Sequence, residues 1–139
     1  MNVFTREHVM TVKVCSKELV QYVKGYVEYA KSNGDKSEKV ILQGKQWSHD
    51  FKLGVLAGII DGDGHVHKHL GTEIKMVSRT IFETILNIVH DLGMIVNTKV
   101  RKATRNSFSK KPCHTIYIPS SEMKKHRKNI PSVKIRRFL

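Results

Sequence analysis

Three glycines spaced four apart inside an apolar run constrain this chain more than any other feature. In Phe51-Lys-Leu-Gly-Val-Leu-Ala-Gly-Ile-Ile-Asp-Gly-Asp-Gly-His65, Gly54, Gly58 and Gly62 recur every fourth residue beside Ala57. Leu53, Leu56, Ile59 and Ile60 supply a helical apolar stripe, and Ser48 or Asp50 stands where an N-cap is needed. Each glycine costs a helix about 0.5–1 kcal/mol relative to alanine, but together they leave one face bare. A bare face lets two helix backbones approach closely, as small-xxx-small pairs do. A helix–helix seam through Gly54, Ala57 and Gly58, reaching Asp61 at the helix end, is therefore expected. The run is far shorter than the roughly 20 apolar residues of a membrane span, so none is expected.

The run ends in Asp61-Gly62-Asp63-Gly64, where the charge has the wrong sign for a helix C-terminus. Each carboxylate there is unfavourable by about 0.3–1 kcal/mol unless something positive compensates. Acidic oxygens beside freed backbone carbonyls suit a hard divalent cation such as Mg²⁺, which keeps several waters and shares phosphate oxygens with a substrate. An EF-hand loop is excluded: counted from Asp61, position twelve is Thr72 where a Glu is required.

Charge separates the two ends of the chain. Of 25 basic residues, 13 lie from Lys99 onward against one acid there, Glu122, whereas residues 1–98 are nearly balanced. A cationic half on a balanced scaffold is the footprint of a polyanion partner, nucleic acid or an anionic membrane surface. Membrane docking wants an aromatic-studded basic helix, and the lone Trp47 lies outside the basic half, which favours nucleic acid. No secretory signal opens the sequence, so an intracellular location is expected, in the cytoplasm of a bacterial or phage-infected cell or in an organelle. Cys15 and Cys113 are far apart without CxxC spacing and read as buried thiols.

An approximate repeat at an offset of 62 residues organises the rest. Val12–Lys17 leads into the apolar positions Leu19, Val20, Val23, Tyr26 and Val27, as Ile74–Arg79 leads into Ile81, Phe82, Ile85, Ile88 and Val89. Each unit reads as a short strand, a Ser near a helix start, then 3.6-residue periodicity. Asn33-Gly34-Asp35 is expected to close the first helix and Leu92-Gly93 the second. Further strands are expected over Glu38–Leu42, Val66–Leu70, Ile95–Arg101 and His114–Ile118, an α+β pattern of antiparallel hairpins and interleaved helices. In His65-Val-His-Lys-His69, period two puts His65, His67 and His69 on one strand face, a set suited to nucleic-acid contact, zinc or plain solvation. The loop 99–111 adds donors at Lys99, Arg101, Lys102, Arg105, Asn106 and Ser107.

Leu56-Ala57-Gly58-Ile59-Ile60-Asp61-Gly62-Asp63-Gly64 resembles the LAGLIDADG motif of homing endonucleases, with Ile59 in place of Leu and Gly62 in place of Ala. The similarity continues from Ile74 through His90-Asp-Leu-Gly93, through His114-Thr-Ile-Tyr-Ile118 and into Lys128-Asn-Ile-Pro131, which is similar to the K-x-I-P segment of intein-type members. Residues 48–139 are thus identified as a LAGLIDADG endonuclease domain. Residues 1–47 look like a worn strand–helix piece of a second half.

The resemblance implies an αββαββα half-domain with its motif helix at a two-fold interface and a curved antiparallel sheet on double-stranded DNA. It implies site-specific double-strand cleavage assisted by Mg²⁺ or Mn²⁺, of the kind that mobilises introns and inteins. By that likeness Asp63 and the Gly62 carbonyl hold the metal, Asp63 and Lys128 are catalytic, and Asp61 serves the helix end. His65, His67, His69, Lys75, Lys99, Arg101, Lys102 and Arg105 are the implied DNA contacts. Only one motif helix is present, so a homodimer or a separately encoded partner half is expected. Self-splicing is not expected, since a nucleophilic first residue and a terminal His-Asn are lacking. A non-cleaving nucleic-acid-binding module of the same fold, such as an RNA maturase, a DNA-binding regulator or a nucleoprotein subunit, is the alternative.

Overall fold

A computed structural model describes residues 2–6, 9–25, 27–32, 35–41, 47–106 and 110–139. The chain begins with paired antiparallel strands β1 (Asn2–Arg6) and β2 (Val9–Lys13), then α1 (Lys17–Lys24). A second antiparallel pair follows, β3 (Val27–Ser32) and β4 (Asp35–Ile41). Next come α2 (His49–Asp63), β5 (Gly64–His67), β6 (Gly71–Met76), α3 (Arg79–Asp91), β7 (Asn97–Arg101), β8 (Cys113–Pro119), α4 (Ser120–His126) and α5 (Val133–Phe138). The class is α+β, as expected. From α2 onward the order is αββαββ followed by two short helices where one was expected.

Strands β5 to β8 form one antiparallel sheet in the order β5-β6-β8-β7. One face carries the alternate residues Thr72, Ile74, Ile116 and Ile118, all fully buried. Leu53, Leu56, Ala57 and Ile60 of α2, with Ile85, Ile88 and Val89 of α3, complete this core, and Met123, Ile130 and Ile135 close its end. Fully burying an aliphatic side chain of this size is worth about 1.5–3 kcal/mol, so this layer dominates stability.

Both expected serine caps are present. The Ser16 hydroxyl accepts from the Leu19 amide at 3.1 Å and the Ser78 hydroxyl from the Ile81 amide at 3.2 Å. Helix α3 ends at Leu92 and Gly93 with the six-to-one bond of a Schellman motif, Met94 N–H to Val89 O, and Gly93 takes φ +72°. The first helix departs from expectation. It stops at Lys24 with Gly25 as C-cap, and Val27 belongs to β3, not to the helix. Asn33-Gly34 lies outside the described residues, between β3 and β4, whose pairing runs to Ser32 opposite Asp35. Asn-Gly between two alternating runs is a hairpin signal, and here it outranks a helix end.

Helix α3 buries four residues, whereas Leu19, Val20 and Val23 of α1, their counterparts in the repeat, are exposed. Cys15 is also exposed and Cys113 half-buried, against the expectation of two buried thiols. Among the described residues no helix is long and apolar enough to cross a membrane.

Candidate active site and nucleic-acid interface

The Ser48 hydroxyl accepts from the Phe51 amide at 3.2 Å and starts α2, which runs without interruption to Asp63. Gly64 then opens β5 with no linker. A Cβ on Gly64 would lie 2.7 Å from the Ile60 backbone, so this close helix-to-strand passage requires glycine. At Gly54, Gly58 and Gly62 a Cβ would meet nothing within 4 Å. These three are exposed and form an open face that no packing within the described residues requires. Ala57 corrects the expected seam, because it is buried in the core under α2 and lies off the glycine face.

The two aspartates have separate environments. Asp61 accepts from the Ser132 hydroxyl at 2.5 Å and from the backbone amides of Val133 and Lys134 at 3.0 Å each. It thus caps the first turn of α5 from another element, and its charge is compensated chiefly by that helix end, with the Lys134 ammonium adding to it. These bonds, the Ser132 hydroxyl first, hold its carboxyl below the ordinary aspartate range. The C-terminus of α2 is covered in return. The Lys134 ammonium lies 2.8 Å from the Gly64 carbonyl oxygen and 3.4 Å from that of Gly62.

Asp63 is exposed at the last turn, and its carboxylate makes no hydrogen bond or ion pair among the described residues. Its exposed carboxylate and the carbonyl of the neighbouring Gly62, which the Lys134 ammonium also approaches, are the all-oxygen donors that suit a hard divalent cation keeping most of its waters. Lys128 is exposed in the turn after α4, on a groove of about 560 Å³ that it shares with Arg127, Ile130, Pro131, Ile135, Arg136 and Leu139. The lysine seated on the motif helix is therefore Lys134. Lys134 is one of several basic residues near the C-terminus, and Ser132, the N-cap residue just before Val133, marks only the start of α5 and not its contact with α2.

Beyond the helix end, the sheet turns its second face to solvent. In register across the strands lie His65, Glu73, Tyr117 and Asn97, and beside them Lys75, Thr115 and Lys99. Arg101 sits opposite Cys113. All are exposed or half-buried, in contrast to the buried Thr72, Ile74, Ile116 and Ile118 of the opposite face. The rings of His65 and His67 stand edge to face with centroids 4.2 Å apart. Lys75 pairs with Glu73 at 3.0 Å.

His69 departs from this row. Strand β5 ends at His67, and His69 lies exposed in the turn 68–70 that leads to β6. Gly71 forces the break: its φ is +123°, and a Cβ there would fall 2.2 Å from the Ile118 carbonyl. Among the described residues no three His, Cys, Asp or Glu side chains gather as a metal site, so the histidines do not form a zinc triad. Lys102 and Arg105 are exposed in the loop after β7, where the Arg105 carbonyl accepts from Lys110 at 3.3 Å; Ser107 lies outside the described residues.

A family model described as homing endonuclease matches residues 47–136. The match spans well over half of the chain, from Trp47 at the entry of α2 to Arg136 in α5, and the chain belongs to the homing endonuclease family. It is accordingly a nuclease-type protein whose family works on DNA. No curated protein matches the chain, and no solved structure does.

Proposed function

We propose that this chain is a site-specific double-strand DNA endonuclease of the LAGLIDADG kind, using Mg²⁺ or Mn²⁺. The observation that carries this reading is the position of Asp63. It is an unpaired carboxylate at a helix end that passes, two residues later, into the outward sheet face at His65. A bound divalent ion there would polarise the scissile phosphate and lower the pKa of an attacking water.

The chain's own residues supply the rest. Lys75, Lys99 and Arg101 on the outward face, with Lys102 and Arg105 beside it, hold phosphates, while His65 and His67 present donors to groove edges. Lys128, by its likeness to the K-x-I-P lysine, offers positive charge to the phosphorane-like transition state. Because one motif helix brings one such site, cutting both strands needs a second helix end. A second copy docked through the face of Gly54, Gly58 and Gly62 supplies it by two-fold symmetry, with a separately encoded half as the other source.

Asp63→Asn keeps the side-chain size and removes the charge. With a randomised duplex library and Mg²⁺, the wild type should leave sequenceable ends at a selected site, and the variant should bind that site but cut at least about a hundredfold more slowly. A variant that cuts at the wild-type rate would overturn the assignment. A wild type that binds a site selectively and never cuts it would make the chain a binding module instead.

A further inference from the structure

The sequence leaves the carbonyls at the end of α2 as free oxygens beside Asp63, yet the structure puts an ammonium on them. Lys134 reaches the Gly64 oxygen at 2.8 Å and the Gly62 oxygen at 3.4 Å. It is not held there by chance of rotamer alone, because its backbone amide is bonded to Asp61 at 3.0 Å in the same helix. The side chain is half-buried, and the α5 turn that carries it is anchored by the buried Ser132. The residue is therefore built into the helix end from both its main chain and its side chain.

Resting on the metal reading above, we propose that Lys134 is a built-in competitor for the divalent cation: its ammonium occupies the Gly62 and Gly64 carbonyls and must be displaced for metal to take the Gly62 oxygen. The physical ground is direct. A Mg–O bond measures about 2.0–2.1 Å, so a cation on the Gly62 oxygen falls within a few ångströms of an ammonium bonded to that oxygen. Repulsion between a double and a single positive charge at such range weakens binding by about tenfold or more, even with strong solvent screening. Lys134 is thus a positioning residue that sets the metal affinity of the site, keeping it low until the ammonium has somewhere else to go.

The test uses the full chain without DNA. Mn²⁺ is titrated and its bound fraction read by electron paramagnetic resonance for the wild type, Lys134→Gln, Lys134→Arg and Asp63→Asn. Lys134→Gln keeps an N–H donor for the carbonyls but no charge and should bind about tenfold more tightly; Lys134→Arg should bind no better than the wild type. Lys134→Gln affinity within twofold of the wild type, with binding abolished by Asp63→Asn, would overturn the competitor role and leave the metal site standing. Undiminished binding by Asp63→Asn would overturn the metal site itself. A readout free of variants guards against misfolding: saturating Mg²⁺ should shift or broaden the ¹⁵N resonance of the Lys134 ammonium in the wild type, and an unmoved resonance refutes the proposal.

Discussion

Asp61 illustrates how one side chain can serve two helices. It belongs to the last turn of α2, where a carboxylate is unwelcome, and it spends that charge on the N-terminus of α5. Asp61→Ala would leave the Ser132 O–H and two backbone amides without their acceptor in a half-buried place, although the Ser132 oxygen would keep its bond from the Ile135 amide. The expected loss is about 1–3 kcal/mol in denaturant melts, with the m-value unchanged. The pH dependence has a definite sign. Because the folded carboxyl titrates below its ordinary value of 3.8, its contribution is complete above that pH and is lost as the pH falls further. The stability gap between wild type and Asp61→Asn should therefore be flat at neutral pH and shrink on acidification below that value; a gap that widened in acid would contradict the capping role.

At the level of elements, the glycines of α2 divide into two kinds that the sequence pattern alone does not separate. Gly64 is required within the fold, since its Cβ would strike the Ile60 backbone at 2.7 Å; Gly58 is not, since its Cβ would meet nothing. Gly64→Ala should destabilise the fold itself. If a second copy docks through this face as proposed, Gly58→Leu should leave the melting of the isolated chain unchanged while overpacking that seam by about 1–3 kcal/mol. Light scattering should then report half the wild-type mass for Gly58→Leu, and an unchanged mass would remove the seam. Helix α2, the serine caps, the Gly93 terminus and the alternation of β8 were all legible, because each depends on residues within a few positions. The predicted first helix is too long because Tyr26 and Val27 extend its apolar period by chance, while Asn33-Gly34 signals a hairpin. The union of α2 with α5 left no local trace, since a cap supplied from over seventy residues away disturbs no periodicity.

For the whole molecule, the charge and the sheet register describe the same surface. The outward face between β5 and β7 carries His65, His67, Lys75, Lys99 and Arg101, with Glu73 as the acid among them. If the basic residues from Lys99 onward together with this face meet about six phosphates, log affinity for duplex DNA should fall with log salt at a slope near −5. A flat dependence in a filter or anisotropy assay would mean that the excess charge serves another partner. The reciprocal caps between α2 and α5 also set a schedule. Asp61 emerges from the ribosome 71 residues ahead of Ser132, and at about 5–20 residues per second its helix end stays bare for several seconds. During that interval the sheet and α3 can collapse, but the carboxylates at the helix end have neither Lys134 nor the α5 amides against them. A nascent chain arrested before residue 132 would hold the motif and still lack the caps that α5 gives to the end of α2, so the order of synthesis leaves that helix end unfinished until α5 has been made.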